Sequence, residues 1–230
     1  MHAPVPAPIS ADLLLLAYGN GIFPMADSRE DTEVFWVEPR ERAIIPLDGF
    51  RCAKSLAKVV RQDRYRVTID TAFPQVVAAC AEPRPGHPES WISARIAASY
   101  RALHEQGHAH SIECWSGEEL VGGLYGVSFQ RTFCGESMFS RADNSSKVAL
   151  AWLVALMRRA GFRLLDCQFM TDHLASLGAV EMPQTDYLKL LEQARGTPTC
   201  SLPEAYSSVL EEAGADSPGK LIAQSLTQTS

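Results

Sequence analysis

Between Glu119 and Ala179 the chain alternates glycine-bearing extended runs with one long apolar helix, and this order restricts the fold more than any other stretch does. ELVGGLYGV (119–127) and FCGESMFSR (133–141) have strand character, with Gly122, Gly123, Gly126 and Gly135 leaving room for close approach of backbone or ligand. Strands near 110–115, 119–127 and 129–134 follow one another closely enough for an antiparallel meander. KVALAWLVALMRRA (147–160) then supplies the apolar body of a helix that Asp143, Asn144 or Ser145 can cap. Arg158 and Arg159 suit its negative end and Gly161 closes it. The next strand, LLDCQ (164–168), carries Asp166 and Gln168 two residues apart, which puts carboxylate and amide on one face. Strand, strand, strand, helix, strand is an α+β order, and several α+β folds fit it.

The flanking segments predict further elements. Ser10 caps a helix to about Tyr18, stopped by Gly19 and Gly21, and Pro24 fixes the turn that follows. Phe35 and Trp36 begin a strand region. Residues 65–70 read as a strand, 71–81 as a helix, 82–90 as a proline-rich loop, and Ile92 to about Glu105 as a helix ended by Gly107. Beyond Thr197 the chain turns to Ser, Ala, Gly, Gln and Thr, which predicts a mobile tail or a short, loosely packed helix. The division expected is a small N-terminal α/β domain over 1–62, a larger domain over 63–197, and a tail over 198–230.

Charge is unevenly placed. The 230 residues carry a net −6, yet 39–66 holds eight basic and three acidic residues, a net +5 that leaves −11 for the remainder. As a helix, 51–61 aligns Arg51, Lys54, Lys58 and Arg61 on one stripe, with Cys52, Ala53, Leu56, Val59 and Val60 opposite. This is a basic exposed face backed by a core face. The six cysteines are scattered without a C-x-x-C pair, so neither a disulfide framework nor a zinc site is expected, and a reducing cytoplasm fits best. The apolar run Leu13 to Ala17 is too short to span a bilayer and lacks a preceding positive residue, so no membrane association or export signal is expected. His104 and His108 are four apart, but Gly107 interrupts the helix a metal-binding pair would need. His173 reads as a residue that fixes the loop 174–179.

GIFPM (21–25), WIS (91–93), HEQGHAHSIE (104–113), ELVGGLYGV, FCGESMFSR, LLDCQ and DHLASLGA (172–179) occur in this order. Together, over residues 10 to 195, they resemble the leucyl/phenylalanyl-tRNA–protein transferase family. The resemblance implies a GNAT-like acyltransferase domain with a mixed, largely antiparallel sheet flanked by helices. It implies transfer of leucine or phenylalanine from leucyl-tRNA or phenylalanyl-tRNA to the α-amino group of proteins beginning with Arg or Lys, creating a destabilising N-terminus for degradation. No cofactor or metal is expected, because the aminoacyl ester is already activated.

The resemblance implies Asp166 and Gln168 as the catalytic pair. Glutamine is a very poor base, so its amide oxygen would accept a hydrogen bond from the attacking amine while Asp166 orients it; alternatively Asp166 meets the amine directly or through water. Glu136 is assigned to the cationic acceptor, at its α-amino group or its basic side chain. Leu124, Phe133 and Leu165 match the aminoacyl side-chain pocket. Trp91 matches an aromatic for the 3′-adenosine of the tRNA, with Met25 beside it where the family commonly has tryptophan; methionine can still pack on a base face. Arg51, Lys54, Lys58 and Arg61 would contact the tRNA backbone. Asn144 to Lys147 read as helix capping rather than a phosphate site.

Two other readings share parts of this pattern. An acetyl-CoA-dependent N-acetyltransferase would use the same core, but CGESMFSRADNSS lacks the glycine-rich loop that cradles a pyrophosphate. A non-catalytic tRNA-binding module would use the basic helix and have no need of Asp166 and Gln168.

Overall fold

The computed structural model describes residues 7–83 and 89–227, so the middle of the expected 82–90 loop lies outside the described residues. The order is α1 (Ala11–Gly19), β1 (Phe23–Met25), β2 (Phe35–Val37), β3 (Glu41–Ile45), α2 (Lys54–Arg61), β4 (Arg66–Ile69), α3 (Phe73–Cys80), α4 (Ala94–Glu105), β5 (Ala109–Ser116), β6 (Glu119–Phe129) and β7 (Thr132–Ser140). Then come α5 (Ser145–Ala160), β8 (Leu164–Gln168), α6 (Asp172–Ser176), β9 (Val180–Pro183), α7 (Gln184–Gln193), α8 (Leu202–Ala213) and α9 (Pro218–Thr227). Seven strands form one mixed sheet in the order β4-β5-β6-β7-β8-β3-β9, antiparallel except for the parallel β7–β8 pair, and β1 and β2 form a separate antiparallel ribbon.

Helices cover both faces of the large sheet. On one face α5 lies across β5, β6 and β7, and on the other α3 and α4 do so, each layer closing its own apolar cluster. Two glycines set these distances. A side chain at Gly122 would collide with Ser145 at the start of α5, whose Oγ donates to the Val121 carbonyl at 2.9 Å. One at Gly126 would collide with the Phe133 ring and the Cys134 carbonyl. The predicted caps at Ser10 and Gly161 form, with Ser10 Oγ accepting from Leu13 N and Gly161 left-handed at φ 76°. At the start of α5, by contrast, Asn144 is left-handed and makes no side-chain capping bond.

The sheet is irregular where it matters. β7 and β8 pair in parallel only from Thr132/Leu164 to Cys134/Asp166, while β7 continues to Ser140 beside β6. Gly126 faces Gly135 and Tyr125 faces Ser137, so Glu136 is an extra residue, a bulge. Ala43 faces Gln168 and Ile44 faces Asp166, so Cys167 is likewise extra on β8. Bulges bend a strand and re-aim side chains, and this pair flanks the point where the two strands part.

Two expectations about organisation change. The N-terminal unit does not run to 62: β3 sits between β8 and β9 inside the large sheet, and α2 packs on α5 and α9. The segment after 198 is two packed helices rather than a mobile tail. Leu202, Ala205, Val209, Ile222, Ala223 and Leu226 join the cluster around Trp152. The reason lies in α5, where every residue from Val148 to Met157 is buried; a helix apolar all round needs cover on its outer side, and α8, α9 and α2 supply it. Ser201 and Glu204 form a capping box at the start of α8. Ser201→Ala is expected to lower unfolding stability by about 1 kcal/mol, measurable by urea titration; a frayed tail would show no change.

Candidate active site

Where β7 and β8 part, a cavity of about 690 Å³ opens across the plane of the sheet. Leu124, Leu150, Leu153, Leu165 and Leu174 give it an apolar wall on the α5 side, and Glu136, Gln168 and Ser146 are its buried polar residues. The bulge turns Glu136 toward α1 and α4. There Tyr18 donates to Oε1 at 2.7 Å, Tyr100 donates to Oε2 at 2.8 Å, and the two hydroxyls lie 2.7 Å apart. With both hydroxyl protons given to the carboxylate the Tyr18–Tyr100 contact has none; a proton on Glu136, donated to one tyrosine in place of that tyrosine's own bond to the carboxyl, fills all three contacts. Burial pushes Glu136 up to about 7, against the lowering effect of Tyr18, Tyr100 and Gln168, and Asp166 adds to the rise.

Gln168 Nε2 donates to Glu136 Oε1 at 3.0 Å, which leaves the amide oxygen available. Its backbone is left-handed, φ 63°, and its N–H donates to Asp166 Oδ1 at 2.8 Å. Asp166 is fully buried and committed to protein partners: Arg42 Nε donates to Oδ1 at 2.8 Å, Arg42 Nη2 donates to Oδ2, and Tyr187 OH donates to Oδ2 at 3.0 Å. Direct contact of Asp166 with an incoming amine, one of the two alternatives left open by the sequence, does not fit this enclosure. Burial alone would lower the affinity of the Arg42 guanidinium for its proton; the Asp166 carboxylate more than offsets this, so the group stays charged.

Glu136, Gln168, Leu124, Leu165 and Trp91 are brought together around the cavity; Phe133 and Met25 are not among its lining residues. Phe133 is fully buried beside Gly126, and Met25 packs with the α1/α4 cluster. His173 lines the cavity, and its Nε2 is buried with no hydrogen-bond partner among the described residues; burial and Lys147 lower its proton affinity. His104 and His110 both face Asp70, His110 Nδ1 at 2.7 Å. Tyr18, Tyr100, Arg42 and Tyr187 join the site without a sequence signal to mark them. Arg42 stands in the basic window without a helical stripe to mark it, and the tyrosines lie 21 to 145 positions from the groups they meet or from one another.

Arg51, Lys54, Lys58 and Arg61 are exposed and Leu56 and Val60 buried, as expected; the helix begins only at Lys54, so Arg51 precedes it, Ala53 is exposed, Cys52 and Val59 are half-buried, and Ala57 is buried instead. Arg51 N–H donates to the Leu177 carbonyl at 2.9 Å, so the stripe begins beside the turn that follows α6, whose His173 and Leu174 line the cavity.

Because its folded-state value near 7 exceeds the unfolded value of about 4.3, Glu136 keeps a proton that the unfolded chain has released between those pH values. The associated stability is full below about pH 4.3 and lost as pH rises through about 7. Glu136→Gln should therefore gain on wild type by roughly 2–4 kcal/mol between pH 5 and pH 8, read from paired melting curves. A constant difference would show that Glu136 titrates normally.

The family model described as leucyl/phenylalanyl-tRNA protein transferase matches residues 44–192, and the one for the N-terminal domain of that transferase matches 7–40. The chain is 54% identical to the leucyl/phenylalanyl-tRNA–protein transferase of Novosphingobium aromaticivorans over 98% of both chains. It is 60% identical to that of Rhizorhabdus wittichii over 82% of this chain and 76% of the other. Among solved structures, L-PGS from Bacillus licheniformis gives a TM-score of 0.41 at 11% identity, covering 83% of this chain and 72% of that one. On the family models and these relatives, the chain belongs to the leucyl/phenylalanyl-tRNA–protein transferase family.

Proposed function

We propose that this chain is an aminoacyltransferase that moves leucine or phenylalanine from charged tRNA to the α-amino group of proteins beginning with Arg or Lys. The observation that carries the reading is the Glu136–Gln168 hydrogen bond at the polar end of a cavity whose far wall is leucine-rich. The aminoacyl side chain enters the apolar wall at Leu124 and Leu165; the acceptor amine meets Gln168 and Glu136. Apolar contact discriminates methyl-scale differences by only about 1–3 kcal/mol, so acceptance of both Leu and Phe follows from such a wall.

The chemistry asks little of the protein. An α-amino group of pKa about 7.7–8.0 is partly neutral near pH 7, and the ester carbonyl is activated. Nitrogen attacks that carbonyl, the bond to the ribose oxygen breaks, and the amine proton leaves with the tRNA hydroxyl or solvent. Gln168 Oε1 accepts from the amine and aims its lone pair; holding amine and ester together supplies much of the acceleration. Neither ATP nor a metal is required. Glu136, ionised when a guanidinium or ammonium group arrives, favours cationic acceptors over neutral ones. Trp91 stacks on the 3′-adenosine at the cavity rim, and the basic stripe of α2 takes backbone phosphates. We also infer kinship of the β5–β6–β7, α5, β8 unit with GNAT-type acyltransferases, supported by the parting of a parallel strand pair beside the site. Charged tRNA as donor goes with a cytoplasmic location.

The test is transfer of labelled leucine from leucyl-tRNA to peptides beginning with Arg, Lys, Asp or Ala, without acetyl-CoA or added metal. Product confined to the Arg and Lys peptides is expected. Binding of charged tRNA without transfer would favour the non-catalytic module, and acetylation from acetyl-CoA would favour the other alternative. Charge reversal at Lys54, Lys58 and Arg61 together should raise the KM for leucyl-tRNA by about tenfold or more and flatten its salt dependence; an unchanged salt slope would remove α2 from the interface.

A further inference from the structure

Gln168 is a non-glycine residue held in the left-handed region, a conformation that costs about 1–2 kcal/mol and persists only where its surroundings dictate it. The peptide that leads into it is held by Asp166, whose Oδ1 accepts the Gln168 N–H. Asp166 is in turn gripped on both oxygens by Arg42, with Tyr187 OH on Oδ2. The guanidinium lies between the rings of Phe23 and Tyr187, at 4.8 and 4.4 Å from their centroids, and its Nη1 donates to the Gly21 carbonyl at 3.0 Å. Gln184 Nε2 donates to the same carbonyl, also at 3.0 Å. The Phe23 ring stands edge-on to Phe169, the residue after Gln168 and part of the cavity lining, at 5.7 Å.

We infer that Arg42 and Tyr187 are positioning residues that set the conformation of Gln168 through Asp166, so that the N-terminal elements are built into the reactive site; this rests on the transferase reading above. With Arg42 in place, Asp166 Oδ1 is fixed, and its bond to the Gln168 N–H pins the peptide that leads into Gln168. From that anchored backbone the amide nitrogen reaches Glu136, and Gln168 lines the cavity. Lysine at 42 keeps the charge but cannot grip two carboxylate oxygens in a planar fork. Asp166 can then rotate, the Gln168 backbone relaxes, and the amide leaves its place. Since Gly21 and Phe23 hold the guanidinium from the other side, β1 shares in this alignment. Tyr18 of α1 contributes separately, through Glu136.

The experiment is a double-mutant cycle on leucine transfer from leucyl-tRNA to an Arg-initiated peptide, with folded fraction measured by circular dichroism for each protein. Arg42→Lys is expected to lower kcat by about tenfold or more and Tyr187→Phe by about three- to tenfold, each leaving the KM for leucyl-tRNA within about twofold. In a Gln168→Ala background neither should cause further loss beyond about twofold, because residues acting through one group are not additive. Equal losses in both backgrounds, or an unchanged kcat in folded Arg42→Lys, would overturn the inference while wild-type transfer upholds the reading beneath it. A wild-type protein that transfers nothing overturns both. Should Arg42→Lys not fold, the Tyr187→Phe cycle decides by the same criterion.

Discussion

Gln168→Ala is expected to lower kcat for leucine transfer by about 10²-fold while the KM for leucyl-tRNA stays within about twofold. The side chain is 6% exposed and its nitrogen is occupied by Glu136, so its one available function is the amide oxygen. An acceptor that aims the amine lone pair acts late in the approach to the transition state and little in holding tRNA. Loss should therefore fall on kcat. Single-turnover rates with pre-bound leucyl-tRNA and saturating Arg-initiated peptide measure it. A loss expressed wholly as a raised KM would make Gln168 a binding residue instead.

Asp166→Ala should be costlier to the fold than to any single step, destabilising the protein by about 3–5 kcal/mol because Arg42 is left as a buried charge without its partner. For a chain of this size that is on the order of 10 °C in Tm. The contrast that isolates the cause is the double variant Arg42→Met with Asp166→Leu, which removes both charges and should recover much of the stability while transfer stays no lower than in Gln168→Ala. A mild effect of Asp166→Ala on Tm with full loss of transfer would place Asp166 in contact with substrate rather than behind Gln168.

The regular parts of this architecture were legible because they depend on near neighbours. Ser10 and Gly161 mark the ends of helices, and the glycine-bearing runs mark the meander, through local backbone preferences alone. The Asp166–Gln168 spacing put both residues at one place on a strand end. What could not be read depends on register and distance in the chain. Nothing local announces that Glu136 is the extra residue of a bulge, yet that shift aims it at Tyr18 and Tyr100. Arg42 looked like one more cation of a basic window and proved to be the most enclosed charge partner of the site. Phe133, placed by resemblance with Leu124 and Leu165, fills the space left by Gly126, a contact decided by packing across β6 and β7. Composition makes the segment after 198 resemble a tail, while the need for its two helices lies in α5, whose run from Val148 to Met157 has no polar face to give to water.

In the proposed site Glu136 and Gln168 join a cationic acceptor to an aminoacyl ester within this cavity. Its most direct test is the ratio of kcat/KM for peptides beginning with arginine and with citrulline, its neutral isostere, using leucyl-tRNA as donor with wild type and Glu136→Gln. Wild type should prefer arginine by about tenfold or more, and the variant should lose most of that preference while retaining measurable transfer. An unchanged preference in the variant, or equal use of both peptides by wild type, would contradict the assignment of Glu136 to the cation and with it the site as drawn.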